Sequence, residues 1–452
     1  MPNYKEYFKG KKVTIMGLGL MGGGLGDAKF LAECGAKLTI TDLKSEYELG
    51  PSLKKLSKYK GIKYVLGRHD LADFKNADLI IQPGNVPIDS PYLFEAKRNK
   101  IPIYESESLF MEQAENITVI GVTGTRGKTT TTYLIYEILK ITFNQKVHLG
   151  GNIRGTSALS LLSKIKSGDM VVMELDSWCL HGMGEIKKSP QISVFTNLMK
   201  DHLNFYLKMV ADPTPLKLRG ARAMQKYFLD KAQIYLNQNQ DDYLICGEEI
   251  SKQIGKIKSH KIVAEASDVP KNWKIKIPGE HNLKNIACAI KACEVLGVPL
   301  NIIKKGVENF AGVPGRLQLI RELRGIKIYN DTTATTPDGT IAALRALQGE
   351  TLKKRIVLII GGADKGLDMM GLLKVIPKYC KKVFLLDGTG SAKLDLPKAI
   401  RCVSLKEAVN GAMKECKKGD ILLLSPAFAS FGMFKNEYDR GDQFDALING
   451  LK

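Results

Sequence analysis

Short β-branched and aliphatic runs recur along the chain, each followed by a glycine or polar turn and then by a stretch whose apolar residues have helical spacing. Residues 11 to 16 contain the run KVTIM and lead straight into Gly17-Leu18-Gly19-Leu20-Met21-Gly22, and a second run, Lys37 to Thr41, ends at Asp42. Strand, glycine turn, helix, strand, acid is the order of a dinucleotide-type βαβ unit. The segment ADLIIQPG continues the alternation. A Rossmann-like α/β domain over residues 1–113 is predicted.

The next apolar run, Ile117-Thr118-Val119-Ile120, enters Gly121-Val122-Thr123-Gly124-Thr125-Arg126-Gly127-Lys128-Thr129, after which TTTYLIYEILK has the 3.6-residue period of a helix. A glycine loop between a strand and a helix is the context that phosphate binding requires, because backbone N–H groups and the helix N-terminus form an anion cradle. DMVVMEL and ISVFTNL follow as further strands ending in polar residues, and a phosphate-loop ATPase-like central domain is expected over 114–311. Beyond AGVPGR the alternation restarts with IKIYNDTT, RIVLIIGGADKG, KVFLLDG and DILLLSPAFASFGMFKN, which predicts a Rossmann-like C-terminal domain over 312–452. The fold class is α/β in three domains.

Composition narrows the class. At 452 residues the chain is too long for one ordinary core, and its 44% apolar and 25% charged residues are those of a folded globular protein. The N-terminus lacks a signal-peptide core, no apolar run approaches a membrane span, and the 8 cysteines include no CxxC pair, so a cytoplasmic protein with reduced thiols is expected. A net charge of +20 suits nucleic acid, an anionic membrane or small polyanions. Lysine is spread along the chain without a basic run interleaved with aromatics, so phosphate-bearing small molecules are the expected partners, with no nucleic acid and no membrane insertion.

Chemistry concentrates at the central glycine loop. Lys128 supplies a point charge for terminal phosphates and Thr129 a hydroxyl for Mg²⁺, although Gly121 lies one residue too early for the usual G-x-x-x-x-G-K-T spacing. The pattern Gly17-x-Gly19-x-x-Gly22 with Asp42 taken alone reads as a nicotinamide-dependent dehydrogenase; a glycine-cradled pyrophosphate without hydride transfer satisfies it equally.

Six segments, GVTGTRGKTT, NLMKDHLNFY, PGEHNLKNIACAI, VPGRLQ, NDTTATTPDGT and LLLSPAFASFGMFKN, occur in the order found in the Mur ligases, and the chain resembles that family over nearly its whole length. The last two segments and the DRGDQF tail are most similar to the branch that adds D-glutamate. The resemblance implies an ATP- and Mg²⁺-dependent ligase of peptidoglycan synthesis, with two ions, acting as a monomer. It would join D-glutamate to UDP-N-acetylmuramoyl-L-alanine through an acyl phosphate. Another Mur ligase or a folylpolyglutamate-type ligase is the nearest alternative, and a dehydrogenase or a polynucleotide-stimulated NTPase lies further off.

By the same resemblance, Gly124, Thr125, Arg126, Gly127, Lys128, Thr129 and Thr130 hold ATP phosphates, while Asn282 and Asn285 read the adenine. Arg316 and Asp331 face phosphate and ribose, and Glu174, His202, Thr129 and a carboxylated Lys231 hold metal. Gly17, Gly19, Leu20, Met21, Asp42 and Asn152 fall on the UDP-substrate side; Thr335, Lys365, Ser430 and Phe431 fall on the amino acid. The chain departs from the family at Thr333, where lysine is frequent, at Glu437, where an aromatic is common, and in a longer stretch between His202 and Lys231.

Overall fold

A computed structural model describes residues 4–20, 22–84, 86–87, 89–153, 155–201, 203–210, 216–348 and 354–451. Two of the expected site residues, Met21 and His202, lie outside these. The chain divides into two compact units, the first formed by Met1–Pro270 and Lys284–Gly306, the second by Lys271–Leu283 and Val307–Lys452.

The first unit contains two parallel sheets. In one, β1 (Lys12–Met16), β2 (Lys37–Asp42), β3 (Lys63–Leu66), β4 (Leu79–Ile81) and β5 (Ile103–Tyr104) run in the order β3-β2-β1-β4-β5. In the other, β6 (Thr118–Thr123), β7 (Val147–Gly151), β8 (Met170–Glu174), β9 (Ile192–Phe195), β10 (Tyr243–Gly247) and β11 (His260–Ala264) run β11-β10-β9-β6-β8-β7. Both orders reverse beside their first strand. Open α/β sheets bind ligands outside the carboxyl ends of the strands at such a reversal, which puts the ends of β1 and β6 at the two sites to be searched. One apolar core joins the sheets, running from Val13, Ile15 and Leu31 through Phe110 and Leu159 to Val171 and Phe195.

The second unit holds β12 (Gln318–Leu323), β13 (Ile326–Asn330), β14 (Ile356–Gly361), β15 (Cys380–Leu386), β16 (Ile400–Cys402) and β17 (Ile421–Leu424), ordered β12-β13-β17-β14-β15-β16. Four of these strands, β13, β14, β15 and β17, were expected as parallel strands; β16 and β12 were not, and β12 is antiparallel to β13. Arg324 and Gly325, with φ of 55° and 74°, make the tight hairpin, since two left-handed residues match the twist of paired strands. Strands β14 and β17 are apolar on both faces because helices cover both sides, leaving two cores, around Leu358 and Leu423 and around Ile359 and Leu424. Among the described residues no helix is long and apolar enough to cross a membrane.

Strand β6 runs three residues further than the apolar pattern suggests, to Thr123. Gly121 is thus a strand residue and the phosphate loop begins at Gly124, which explains the early first glycine. A Cβ at Gly121 would lie 2.5 Å from Pro190 Cγ and 2.9 Å from Leu175 Cδ1, so side-chain packing across the sheet face demands glycine. Gly121→Val is expected to cost about 1–3 kcal/mol of stability by overpacking. A melting transition unchanged from that of the parent protein would contradict this packing role.

Candidate active site

The loop after β6 is held open by its neighbours. Gly124 has φ of 146°, and a Cβ there would overlap the Thr196 hydroxyl. Thr125 N donates to Asn197 O at 2.9 Å and Arg126 N to Asn197 Oδ1 at 2.9 Å, while Thr196 Oγ1 and Asn197 Nδ2 donate to Arg126 O at 2.7 and 3.0 Å. The Arg126 guanidinium pairs with Asp201 at 2.8 Å. The residues after β9 therefore brace the loop from below. The helix Lys128–Phe143 opens on its far side, where first-turn amides cannot be satisfied by the helix itself and point toward the loop.

Two lysines converge on one carbonyl. Lys128 Nζ donates to Gly124 O at 3.1 Å, and Lys231 Nζ, from the helix Leu216–Leu236, donates to the same oxygen at 3.0 Å and to Thr123 Oγ1 at 3.3 Å. Lys231 is 1% exposed and lies 5.0 Å from the centre of the Tyr227 ring. Burial, then the charge on Lys128, pull its amine down from 10.5 to about 7. That is about 5 kcal/mol against the charged form, enough to leave much of the amine neutral near neutrality.

Glu174 ends β8 opposite Val122 of β6, which brings its carboxylate to the same sheet edge as the loop. It is buried, and its Oε2 has no hydrogen-bond partner within the protein. A buried carboxylate oxygen left unpaired is costly unless a ligand completes it. Asn152 follows β7 with its N–H on Glu174 O at 2.8 Å, and its amide donates to Asp176 Oδ2 at 3.1 Å. Asp176 in turn caps the helix Ser177–Glu185 through Oδ1, which accepts the N–H groups of Trp178 and Cys179. Asn285 is buried with its side chain against Gly127, next to the loop, and Asn282, three residues earlier on the helix Glu280–Val295, donates to Pro278 O at 2.7 Å.

At the β1 reversal, Gly17 N donates to Thr41 O at 2.6 Å and Gly19 N to Asp42 Oδ2 at 3.0 Å. The other Asp42 oxygen accepts Lys44 N at 2.9 Å, so this carboxylate ties the glycine turn to the loop after β2. Leu20 stands half exposed at the mouth. His69, hydrogen-bonded to Thr41 Oγ1 and edge-on to Phe74 and Tyr92, lies on the same side and was not foreseen.

The second unit carries a separate cluster. Lys365 Nζ donates to Thr335 Oγ1 at 2.9 Å. Ala427 N donates to Ala334 O at 2.8 Å and Ala363 N to Ala429 O at 2.9 Å, which draws the loops bearing Thr335, Lys365 and Ser430 together. Ser430 is buried and Phe431 is exposed. Thr333 turns away from this group, its hydroxyl donating to Gly315 O at 2.9 Å, and Glu437 opens the helix Glu437–Asn449 capped by Asn436. Asp331 is buried, its oxygens accepting Leu317 N at 2.9 Å and Ser425 Oγ at 2.8 Å; burial raises its carboxyl to about 7, against the lowering effect of Arg316.

Among the described residues the structure therefore brings Gly124 to Thr130, Glu174, Lys231, Asn152 and Asn285 to one edge of the second sheet, Gly17, Gly19, Leu20 and Asp42 to one edge of the first, and Thr335, Lys365, Ser430 and Phe431 to one cluster of loops. The bracing residues Thr196, Asn197, Asp201, Tyr227 and Asp176 were missed. Asn197 and Asp201 flank the polar end of a predicted strand, where a search for loop partners would have started.

A phosphate loop with two lysines on it, next to an unpaired carboxylate and followed by a separate α/β unit with its own lysine and hydroxyl cluster, suits an ATP-dependent ligase that makes amide bonds. Residues 11–105 match the Mur ligase MurD-like N-terminal domain, 122–211 the Mur ligase middle domain and 315–428 the Mur ligase glutamate ligase domain. The UDP-N-acetylmuramoylalanine–D-glutamate ligase of Borreliella burgdorferi strain ZS7 is 35% identical across 99% of each chain, and the ligase of that name from Roseiflexus sp. strain RS-1 is 35% identical across 98% of this chain and 99% of its own. The chain belongs to the Mur ligase family. Solved structures share its fold: UDP-N-acetylmuramate-alanine ligase from Thermotoga maritima (TM-score 0.60, 20% identity, 98% of this chain and 100% of that one) and a MurF ligase from the same organism in complex with ADP (0.58, 17%, 91% and 95%).

Lys128→Ala is expected to keep the fold and lose ligation by several orders of magnitude, since stabilising a transferring phosphoryl group supplies several kcal/mol and about 1.4 kcal/mol is tenfold in rate. Near-normal turnover by a folded variant would remove the loop from the chemistry.

Proposed function

We propose that this chain joins the amine of D-glutamate to the carboxylate of UDP-N-acetylmuramoyl-L-alanine, driven by ATP, as a step of peptidoglycan precursor synthesis. The observation that carries the reading is the Lys365–Thr335 pair beside Ser430, in a chain alike from end to end to ligases named for that reaction. An ammonium and two hydroxyls suit an amino acid with a second carboxylate, which a neutral side chain would leave unanswered.

In the proposed sequence a substrate carboxylate oxygen attacks the γ-phosphorus of ATP, the bond to the bridging oxygen breaks, and ADP leaves. The amine of D-glutamate then attacks the acyl carbon, the carbon–oxygen bond to phosphate breaks, and the amine loses a proton as the amide forms. Lys128 and the loop amides hold the terminal phosphates in line and answer their charge. Gly17, Gly19 and the loop braced by Asp42 form the cradle for the substrate's diphosphate, with Asn152 toward the sugar. Asn282 and Asn285 supply amides for a base, and Arg316 and Asp331 are the residues that the family resemblance assigns to phosphate and ribose.

The unpartnered Oε2 of Glu174 fits a divalent cation, and no group of three carboxylate, histidine or cysteine side chains among the described residues forms a complete cage. Few protein ligands, with the rest supplied by water and phosphate, is the pattern for Mg²⁺. Glu174 and Thr129 would hold it, with His202 beyond the described residues and Lys231 in carboxylated form; two ions fit this donor set. When bound, Mg²⁺ neutralises phosphate charge. Only a neutral amine adds carbon dioxide, and burial pulls the Lys231 amine down toward that form.

Phosphate release with UDP-N-acetylmuramoyl-L-alanine and a panel of D-glutamate, L-glutamate, D-aspartate and alanine tests the assignment. D-Glutamate is expected to turn over fastest, and Lys365→Ala to raise its KM more than that of ATP. Faster turnover with a neutral or cationic amino acid would overturn the D-glutamate reading and leave the ligase standing. For Lys231, ¹³C-bicarbonate should give a carbamate carbon signal in the wild-type protein that Lys231→Ala lacks; the same signal in both would assign carboxylation elsewhere.

A further inference from the structure

The sequence motif DRGDQF places a cation, Arg440, in the first turns of the helix Glu437–Asn449, and none of the chemistry above uses it. Its side chain is 0% exposed, the largest fully buried one among the described residues. Among those residues no carboxylate lies within ion-pair distance of it. Instead Nη2 donates to Thr332 O at 2.8 Å, Nε to Thr332 Oγ1 at 3.1 Å and Nη1 to Phe428 O at 3.3 Å. The Thr332 hydroxyl passes the contact back to the helix, donating to Glu437 O at 2.7 Å. Gly441 lets the helix approach, since a Cβ there would lie 2.6 Å from Thr332 Cγ2.

We infer that Arg440 is a positioning residue for the amino-acid end of the site, locking the loop after β13 to the loop after β17 and so fixing Thr335 relative to Ser430. The inference rests on the proposal that these loops hold the incoming amino acid. Arg440 cannot touch that substrate itself, because it is wholly buried and its fork is committed to protein acceptors. Its three hydrogen bonds join the two loops, and its guanidinium also lies 6.0 Å from the centre of the Phe434 ring, on the chain that follows β17. A buried cation whose hydrogen bonds all go to neutral acceptors is expensive even with the Glu437 charge nearby, so stability alone is a weak reason for an arginine here. Lysine, a point donor on a flexible stem, cannot reproduce a planar fork that reaches Thr332 and Phe428 together.

Arg440→Met and Arg440→Lys, with Thr332→Val as a second route to the same break, separate positioning from mere support. Folding is checked by the melting transition, and KM is measured for ATP, the nucleotide substrate and D-glutamate. In folded Arg440→Met the D-glutamate KM is expected to rise about tenfold or more with the ATP KM nearly unchanged, since small misplacements of binding groups cost up to about 100-fold. Arg440→Lys should recover part of the loss, and Thr332→Val should move the same constant in the same direction. An unchanged D-glutamate KM in a folded Arg440→Met, or ATP and D-glutamate constants rising together, overturns the inference. If Arg440→Met does not fold, Thr332→Val decides by the same split. Failure of the wild-type enzyme to use D-glutamate would strike the substrate assignment instead, and the split would then be read on the amino acid it accepts.

Discussion

At Gly124 the backbone of the phosphate loop takes a conformation closed to side chains, hard against Thr196, and its carbonyl receives the ammonium groups of Lys128 and Lys231. Much else follows from that point. Burial, reinforced by the neighbouring charge of Lys128 on the same acceptor, pulls the Lys231 amine down to about 7. A third group, the Glu174 carboxylate, stands at the same sheet edge with an unpaired oxygen. In the proposed reaction, polyphosphate and a divalent cation would answer the charge of Lys128 and the open oxygen of Glu174 together.

The same unit ties this centre to the cradle on the first sheet. Asp27, from the helix Gly23–Glu33, accepts the hydroxyls of Ser106 at 2.7 Å and Ser157 at 2.6 Å, and burial lifts its carboxyl to about 6. Glu105, at the end of the first sheet, accepts Gln82 Nε2 at 2.8 Å beneath Gly182 and is lifted to about 7 by burial. These acids are buried among hydroxyl and amide donors within one shared core. In the proposed reaction, a diphosphate on the first sheet and a triphosphate on the second would thereby be held at a fixed spacing.

The period of the apolar runs was enough to predict three α/β sheets and to place the phosphate loop, because parallel strands are buried on both faces and stand out as continuous aliphatic runs. The hairpin strand Gln318–Leu323 escaped notice, since an edge strand half open to solvent carries Arg321 and Glu322 among its apolar residues. Gly121 was misread as a loop residue; nothing in sequence reveals that Pro190, nearly seventy positions away, fills the space of its side chain. The candidate residues with unusual types for their surroundings, Lys128, Glu174 and Lys231, were singled out by resemblance, and the structure places all three at one sheet edge. The bracing residues Asn197 and Asp176 in the first unit, and Arg440 in the second, act through hydrogen bonds to backbone, and such partners are set by tertiary approach that no local spacing encodes.

The central claim is that phosphoryl transfer at the Gly124 loop activates a substrate carboxylate before the amide forms. Ligation with UDP-N-acetylmuramoyl-L-alanine labelled with ¹⁸O in both carboxylate oxygens tests it directly. An acyl phosphate passes one of those oxygens to the phosphate that leaves, so the released inorganic phosphate is predicted to carry one ¹⁸O per turnover. Phosphate containing none, with one label kept in the amide and the other lost to water, would contradict the account.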